Sequence, residues 1–287
     1  MACALMLLGG CAAMPAGSDG NLVDDWAMLA EGKVREPVVG DCWSTNAWSA
    51  YEPGAFDYVV LADCTATHQM QTIHIGEITG TVADSAVVPA RTATSGLYAD
   101  CEKAAEAYLG GAWQTGLVYL YLHVPTAAQW RGGARSYRCD VAAIQSAADH
   151  IVSHDATFKD TLRPGGPLTI GCGTKVIENK LIKDLTPVEC TAPHDAEFVG
   201  FVQQPNASTY PADSKGVDAV FGKACEQRLL AYTGMSAGNF DRQDIFSIAW
   251  LTAAEIGWET GDRSARCYLT LAKKVSRSFK GVGNVTV

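Results

Sequence analysis

Two stretches of this chain place a histidine four residues after a cysteine: Cys64-Thr-Ala-Thr-His68 and Cys190-Thr-Ala-Pro-His194. Asp195 and Glu197 follow the second histidine. An imidazole beside a carboxylate can act as a general base or hold a metal ion. The first stretch has Gln71 where the second has Glu197, so the two stretches do not share the carboxylate. A histidine just after a disulfide cysteine also has a structural use, because its ring nitrogens can satisfy nearby backbone groups. His68, His194 and Glu197 are candidate ligand-binding residues, and the structural use is the expectation.

Two tryptophan–arginine pairs also match in spacing: Trp130 and Arg135 before Cys139, and Trp258 and Arg263 before Cys267. A guanidinium over an indole contributes about 0.5–2 kcal/mol. Packing near a closing disulfide is the expectation for these four. A platform for a sugar or cell-wall fragment is the functional alternative, since aromatic faces suit carbohydrate. No Gly-x-Ser-x-Gly elbow, P-loop or Gly-x-Gly-x-x-Gly fingerprint occurs. A cysteine nucleophile needs a free thiolate, which paired cysteines cannot supply. No enzymatic activity, cofactor or bound metal is expected.

The elements that would position these residues are organised by cysteines. Cys42, Cys64, Cys101 and Cys139 form one set, and Cys172, Cys190, Cys225 and Cys267 form a second. Cys101 and Cys225 each precede a tyrosine by seven positions and a glycine by nine. Matching sets imply two copies of one disulfide-bonded domain. No Cys-x-x-Cys pair suggests zinc. Structural disulfides point to a compartment outside the reducing cytosol. Four cysteines allow three pairings per domain, and the favoured one is first-to-second with third-to-fourth. The former would clip neighbouring strands and the latter would pin a helix to the closing strand. Each would stabilise its domain by roughly 3–4 kcal/mol in the chain-entropy model.

Hydrophobic patterning places strands at 58–61, 72–78, 117–124 and 136–143, with a helix over 98–109 that stops at Gly110. The second half follows the same plan, with strands at 169–172, 188–190, 197–202, 245–251 and 265–271 and a helix over 217–232. The expected fold class is α+β: two similar small domains, each a mostly antiparallel sheet with one packed helix and two disulfides.

The N-terminal apolar stretch ends in Leu8-Gly9-Gly10-Cys11, which resembles a bacterial lipobox. It lacks the usual opening Lys or Arg, as a start assigned too far downstream would produce. The expected organisation is a signal peptide with a truncated basic region at 1–10 and an acylated Cys11 with tether and short helix over 11–37. The first domain covers 38–146, a linker 147–166, the second domain 167–273 and a basic tail 274–287. The formal net charge of −9 argues against nucleic acid, whose phosphates require a basic face. It also argues against docking on anionic lipid through the body.

Gly40-Asp41-Cys42, the stretch from Val188 through Cys190 and His194 to Glu197, and Gly261-Asp262-Arg263 before Cys267 resemble the septum-formation domain of actinobacterial envelope proteins. The resemblance covers nearly all of 38–271 as two copies. Thr67, Gln71 and Gly132-Gly133-Ala134 depart from the pattern in the first copy, and Gly171 without a following Asp departs in the second. The resemblance implies an exported or membrane-attached protein linked to cell division, with no established enzymatic activity. The expected function is that of a non-enzymatic extracytoplasmic lipoprotein. It would be held at the cell membrane by its lipid and act as a tandem interaction module toward envelope or divisome proteins or cell-wall polymer. The alternative is a metal- or glycan-binding envelope module using His194 and the Trp/Arg faces.

Overall fold

In each half of the chain, five antiparallel strands and a cysteine-bearing helix follow one plan. The computed structural model describes residues 37–45, 59–147, 150–205, 207, 209–241 and 244–285. The expected signal, Cys11, tether and entry helix lie outside the described residues. The first half contains β1 (Cys42–Thr45), β2 (Val59–Ala62), β3 (Met70–Glu77), α1 (Ser95–Leu109), β4 (Val118–His123), α2 (Ala127–Arg131) and β5 (Ser136–Ala143). The second contains β6 (Cys172–Glu178), β7 (Leu181–Val188), β8 (His194–Gln203) and the short α3 (Ser214–Val217). A π-helical turn, Asp218–Gly222, leads into α4 (Lys223–Thr233). Then come α5 (Ala237–Phe240), β9 (Ile245–Leu251), α6 (Glu255–Thr260) and β10 (Ser264–Val275).

The two sheets have the strand orders β2-β1-β3-β5-β4 and β7-β6-β8-β10-β9, which are the same order read in the two halves. This is the expected α+β architecture of two similar small domains. Helix α1 buries Tyr98, Cys101, Ala105 and Leu109, a stripe with helical spacing. Helix α4 buries Cys225, Leu229 and Thr233. Both helices end at a glycine in the left-handed region, Gly110 (φ 80°) and Gly234 (φ 72°), where a side chain would be strained. Disulfides Cys101–Cys139 and Cys225–Cys267 tie each helix to the strand beneath it. Cys42–Cys64 and Cys172–Cys190 close the other end of each sheet.

Two segments differ from expectation. The stretch 147–166 is no free linker. Phe158 and Leu162 are buried in the first domain's core, and Leu162 N–H donates to Leu109 O at 2.8 Å. The stretch 274–287 likewise contributes Phe279 to the second core. Their apolar residues, such as Ile151, Phe158 and Leu162 or Val275, Phe279 and Val282, are scattered among polar ones without a strand or helix period, so neither segment is visible to a pattern argument. The described residues from Pro37 onward accordingly form one compact unit.

The junction runs along the 3-10 turn Trp113–Thr115 and edge strand β4 of the first domain. Arg266 of β10 is 1% exposed and reaches into it. Its Nε donates to Gln114 O at 2.9 Å, and its Nη2 donates to Gly116 O at 2.7 Å and Val118 O at 2.9 Å.

Candidate functional site

His194 opens β8 and Glu197 stands three residues along it, both fully interior. His194 Nδ1 donates to Ala192 O at 2.8 Å, and Nε2 lies 3.2 Å from Glu197 Oε1. Glu197 also accepts from Tyr232 Oη at 2.8 Å, Ser278 Oγ at 2.8 Å and the Phe279 N–H at 2.9 Å. Burial, with the neighbouring Glu197 charge, pushes the Tyr232 hydroxyl up to about 12, which keeps it a donor. The cluster therefore holds the segment after β10 against the helix. Cys172 Sγ lies within 4.8 Å of the ligand atoms of His194 and Glu197. That sulfur is bonded to Cys190, so it offers no thiolate, and the carboxylate oxygens already have donors. The donor set does not fit a metal ion.

The first domain repeats this arrangement with an amide. Gln71 Oε1 accepts from Tyr108 Oη at 3.1 Å, Thr157 Oγ1 at 3.1 Å and the Phe158 N–H at 3.0 Å. His68 Nδ1 donates to Ala66 O at 2.9 Å. The histidines thus satisfy local backbone, and the residue three places on holds the next segment.

The tryptophan–arginine pairs are stacked. The Arg135 guanidinium lies 3.8 Å from the Trp130 ring centre and that of Arg263 lies 4.4 Å from Trp258. Both indoles are buried. Arg135 Nε also donates to Ala83 O at 2.7 Å, and Arg263 Nε to Ala207 O at 2.9 Å. Neither indole presents an open face to a sugar.

A surface site forms elsewhere, at the junction. A cleft of about 390 Å³ is lined by Ser95, Tyr98 and Glu102 of the first domain and Gln203, Gly261 and Arg263 of the second. Glu102 Oε1 accepts from Gln114 Nε2 at 2.9 Å and from Gln203 Nε2 at 3.1 Å, so it bridges the domains. Burial, helped by the charge of Asp262, pushes its carboxyl up to about 7. Gly261 has φ +136°, and a Cβ there would come within 3.2 Å of the Ser95 backbone. The Gly-Asp-Arg stretch of the second domain thus lets the two domains approach. Asp262, fully buried, accepts from Thr252 Oγ1 at 2.8 Å and the Ser264 N–H at 3.0 Å. Burial raises its pKa against those bonds.

A family model described as septum formation matches residues 39–267, across both sheets. The chain belongs to the septum-formation family. No curated protein and no solved structure matches it.

Two polar features of this septum-formation protein, among others, escaped the sequence. One is the cleft, whose Glu102 has no spacing that marks it. The other is a buried carboxylate on the face of the first sheet opposite α1. Asp140 accepts from Thr72 Oγ1 at 2.8 Å and pairs with Arg138 Nε at 2.8 Å and His123 Nε2 at 3.3 Å. Burial works to raise the Asp140 pKa, but His123, Arg138 and Thr72 overcome it and hold the carboxyl below its usual range. Period-two alternation in β5 offered the only signal, since Asp140 falls on the face away from Cys139.

Proposed function

We propose that this protein serves septum formation as a non-enzymatic interaction module outside the cytoplasm. Two tandem copies of the family unit, of the actinobacterial envelope type, would be carried at the membrane by a lipid on Cys11. One observation carries the reading. The histidines and tryptophans of the repeated motifs are built into the framework, whereas the junction leaves a cleft of about 390 Å³ lined from both domains, Arg263 included. Clefts between domains, with a few convergent polar groups, are common ligand sites. The partner is an envelope or divisome protein, or cell-wall polymer. Four disulfides support the location, because such bonds persist in oxidising compartments.

The test places a photocrosslinking residue at Thr92, an exposed position on the cleft, in dividing cells. Adducts with envelope or division proteins, or with wall polymer, are expected. Their absence, or adducts as frequent from exposed Val87 outside the cleft lining, would overturn the reading. Cys11→Ala should move the protein from the membrane to the soluble fraction.

A further inference from the structure

The two histidine clusters differ at one atom. In the second domain His194 Nε2 faces Glu197. In the first, Gln71 turns its oxygen to the segment at 157–158 and its amide nitrogen to Gly40 O at 3.3 Å. His68 is 0% exposed, and its Nε2 has no hydrogen-bond partner among the described residues. The carbonyl of Ala66 can only accept, so Nδ1 carries a proton, and in the neutral ring Nε2 keeps a bare lone pair.

A second imidazole stands beside it. His154 pairs with His68 as an antiparallel bridge, with N–H···O distances of 2.8 and 2.7 Å. Their ring centres are 6.2 Å apart at 76°. The Thr157 backbone lies beside the His154 ring, whose Nε2 is also buried without a partner among the described residues. Phe158 closes the site, 4.6 Å from the His154 ring centre. The corresponding position in the second domain is Val275, which pairs with His194. A histidine thus stands in the domain that lacks the carboxylate, and a valine in the domain that has it.

Two buried lone pairs without donors are costly to leave unmet. Metal-ligating histidines show the same pattern, with the other ring nitrogen tied to a backbone or carboxylate acceptor. Two imidazoles sharing one ion through nitrogen–metal bonds of about 2.0–2.1 Å have ring centres up to roughly 6 Å apart, the spacing of His68 and His154. We propose that His68 and His154 form a two-imidazole site for a first-row transition-metal ion that favours nitrogen ligands, copper or zinc. Water completes the coordination from the half-buried His154 side. Asp155 adds negative charge near that side.

The test uses the full chain with the Cys3 and Cys11 thiols alkylated, titrated with zinc chloride while the histidine ring signals are followed by NMR. One equivalent should shift the signals of His68 and His154 and leave His194 unmoved. His154→Val, which copies the second domain, should weaken binding at least tenfold, and zinc should raise the melting temperature of the wild type but not of this variant. Shifts confined to the other histidines would overturn the proposal, as would zinc binding unchanged in His154→Val. Should the variant fail to fold, the wild-type spectra decide alone.

Discussion

Arg138 and Arg266 each stand one residue before the closing cysteine of their domain, yet they end in different surroundings. Arg138 lies over the Trp43 ring at 4.4 Å and pairs with Asp140 on its own sheet. Arg266 leaves its sheet and donates to three carbonyls of the other domain. Their neighbours explain the difference. On that face the first domain has Thr72, His123 and Asp140. The second has Phe198, Trp250 and Tyr268 at the matching registers. A buried guanidinium requires acceptors. Where its own sheet offers a carboxylate, it stays. Where the sheet offers aromatic rings, it finds backbone carbonyls across the junction, with Asp262 supplying opposing charge. The polar face thus keeps its arginine, and the aromatic face sends its arginine across the interface between two similar domains.

The largest difference between the two domains is expected at Arg266. Arg266→Ala orphans three buried carbonyls and should cost on the order of 3–5 kcal/mol in chemical denaturation. Arg138→Ala removes one ion pair and one ring contact and should cost about 1–2 kcal/mol. Equal losses would mean that Arg266 does not hold the junction.

Glu197→Gln gives the second domain the first domain's residue. An amide nitrogen would then face donors from Tyr232, Ser278 or Phe279, and a loss of about 1–3 kcal/mol is expected. Gln71→Glu makes the reverse change and sets a carboxylate against Gly40 O, with a loss of similar size. If both variants melt like the wild type, the two clusters are not specific for their acceptors.

The glycines of the Trp-to-Arg turns sharpen the comparison. Gly133 (φ +95°) has open space where a Cβ would stand, whereas a Cβ at Gly261 (φ +136°) would meet the Ser95 backbone at 3.2 Å. Alanine at either site meets backbone strain of about 1–2 kcal/mol. Only Gly261→Ala should add crowding at the junction, seen as the greater loss of melting temperature.

The smallest effect is a slope. With a folded pKa of about 7 against an ordinary 4.5, Glu102 keeps in the folded state a proton that the unfolded chain releases. Its contribution to stability is full below about pH 4.5 and declines as pH rises toward 7. Glu102→Gln should remove that decline, so the variant gains on the wild type across this window in urea titrations. Parallel curves would show that Glu102 is not buried at the junction.

Much of the frame was legible in the residues. The order of eight cysteines, the glycines at 110 and 234 and the alternation in strands such as 136–143 carry local and near-neighbour constraints. The α+β plan and both helix stops follow from them. The local hydrogen bonds of His68 and His194 were also readable, since a ring nitrogen two residues from its carbonyl partner is a local event. The fate of Arg266, the bridge made by Glu102 and the pairing of His68 with His154 were not. Each depends on groups 86 or more positions apart in sequence that meet only when the sheets have formed, as Arg266 meets Gln114 across 152 positions and His68 meets His154 across 86. Composition and spacing determined what each domain is made of. The tertiary structure alone decided which buried polar atoms found partners, because a hydrogen bond depends on distance in space and leaves no period in the chain.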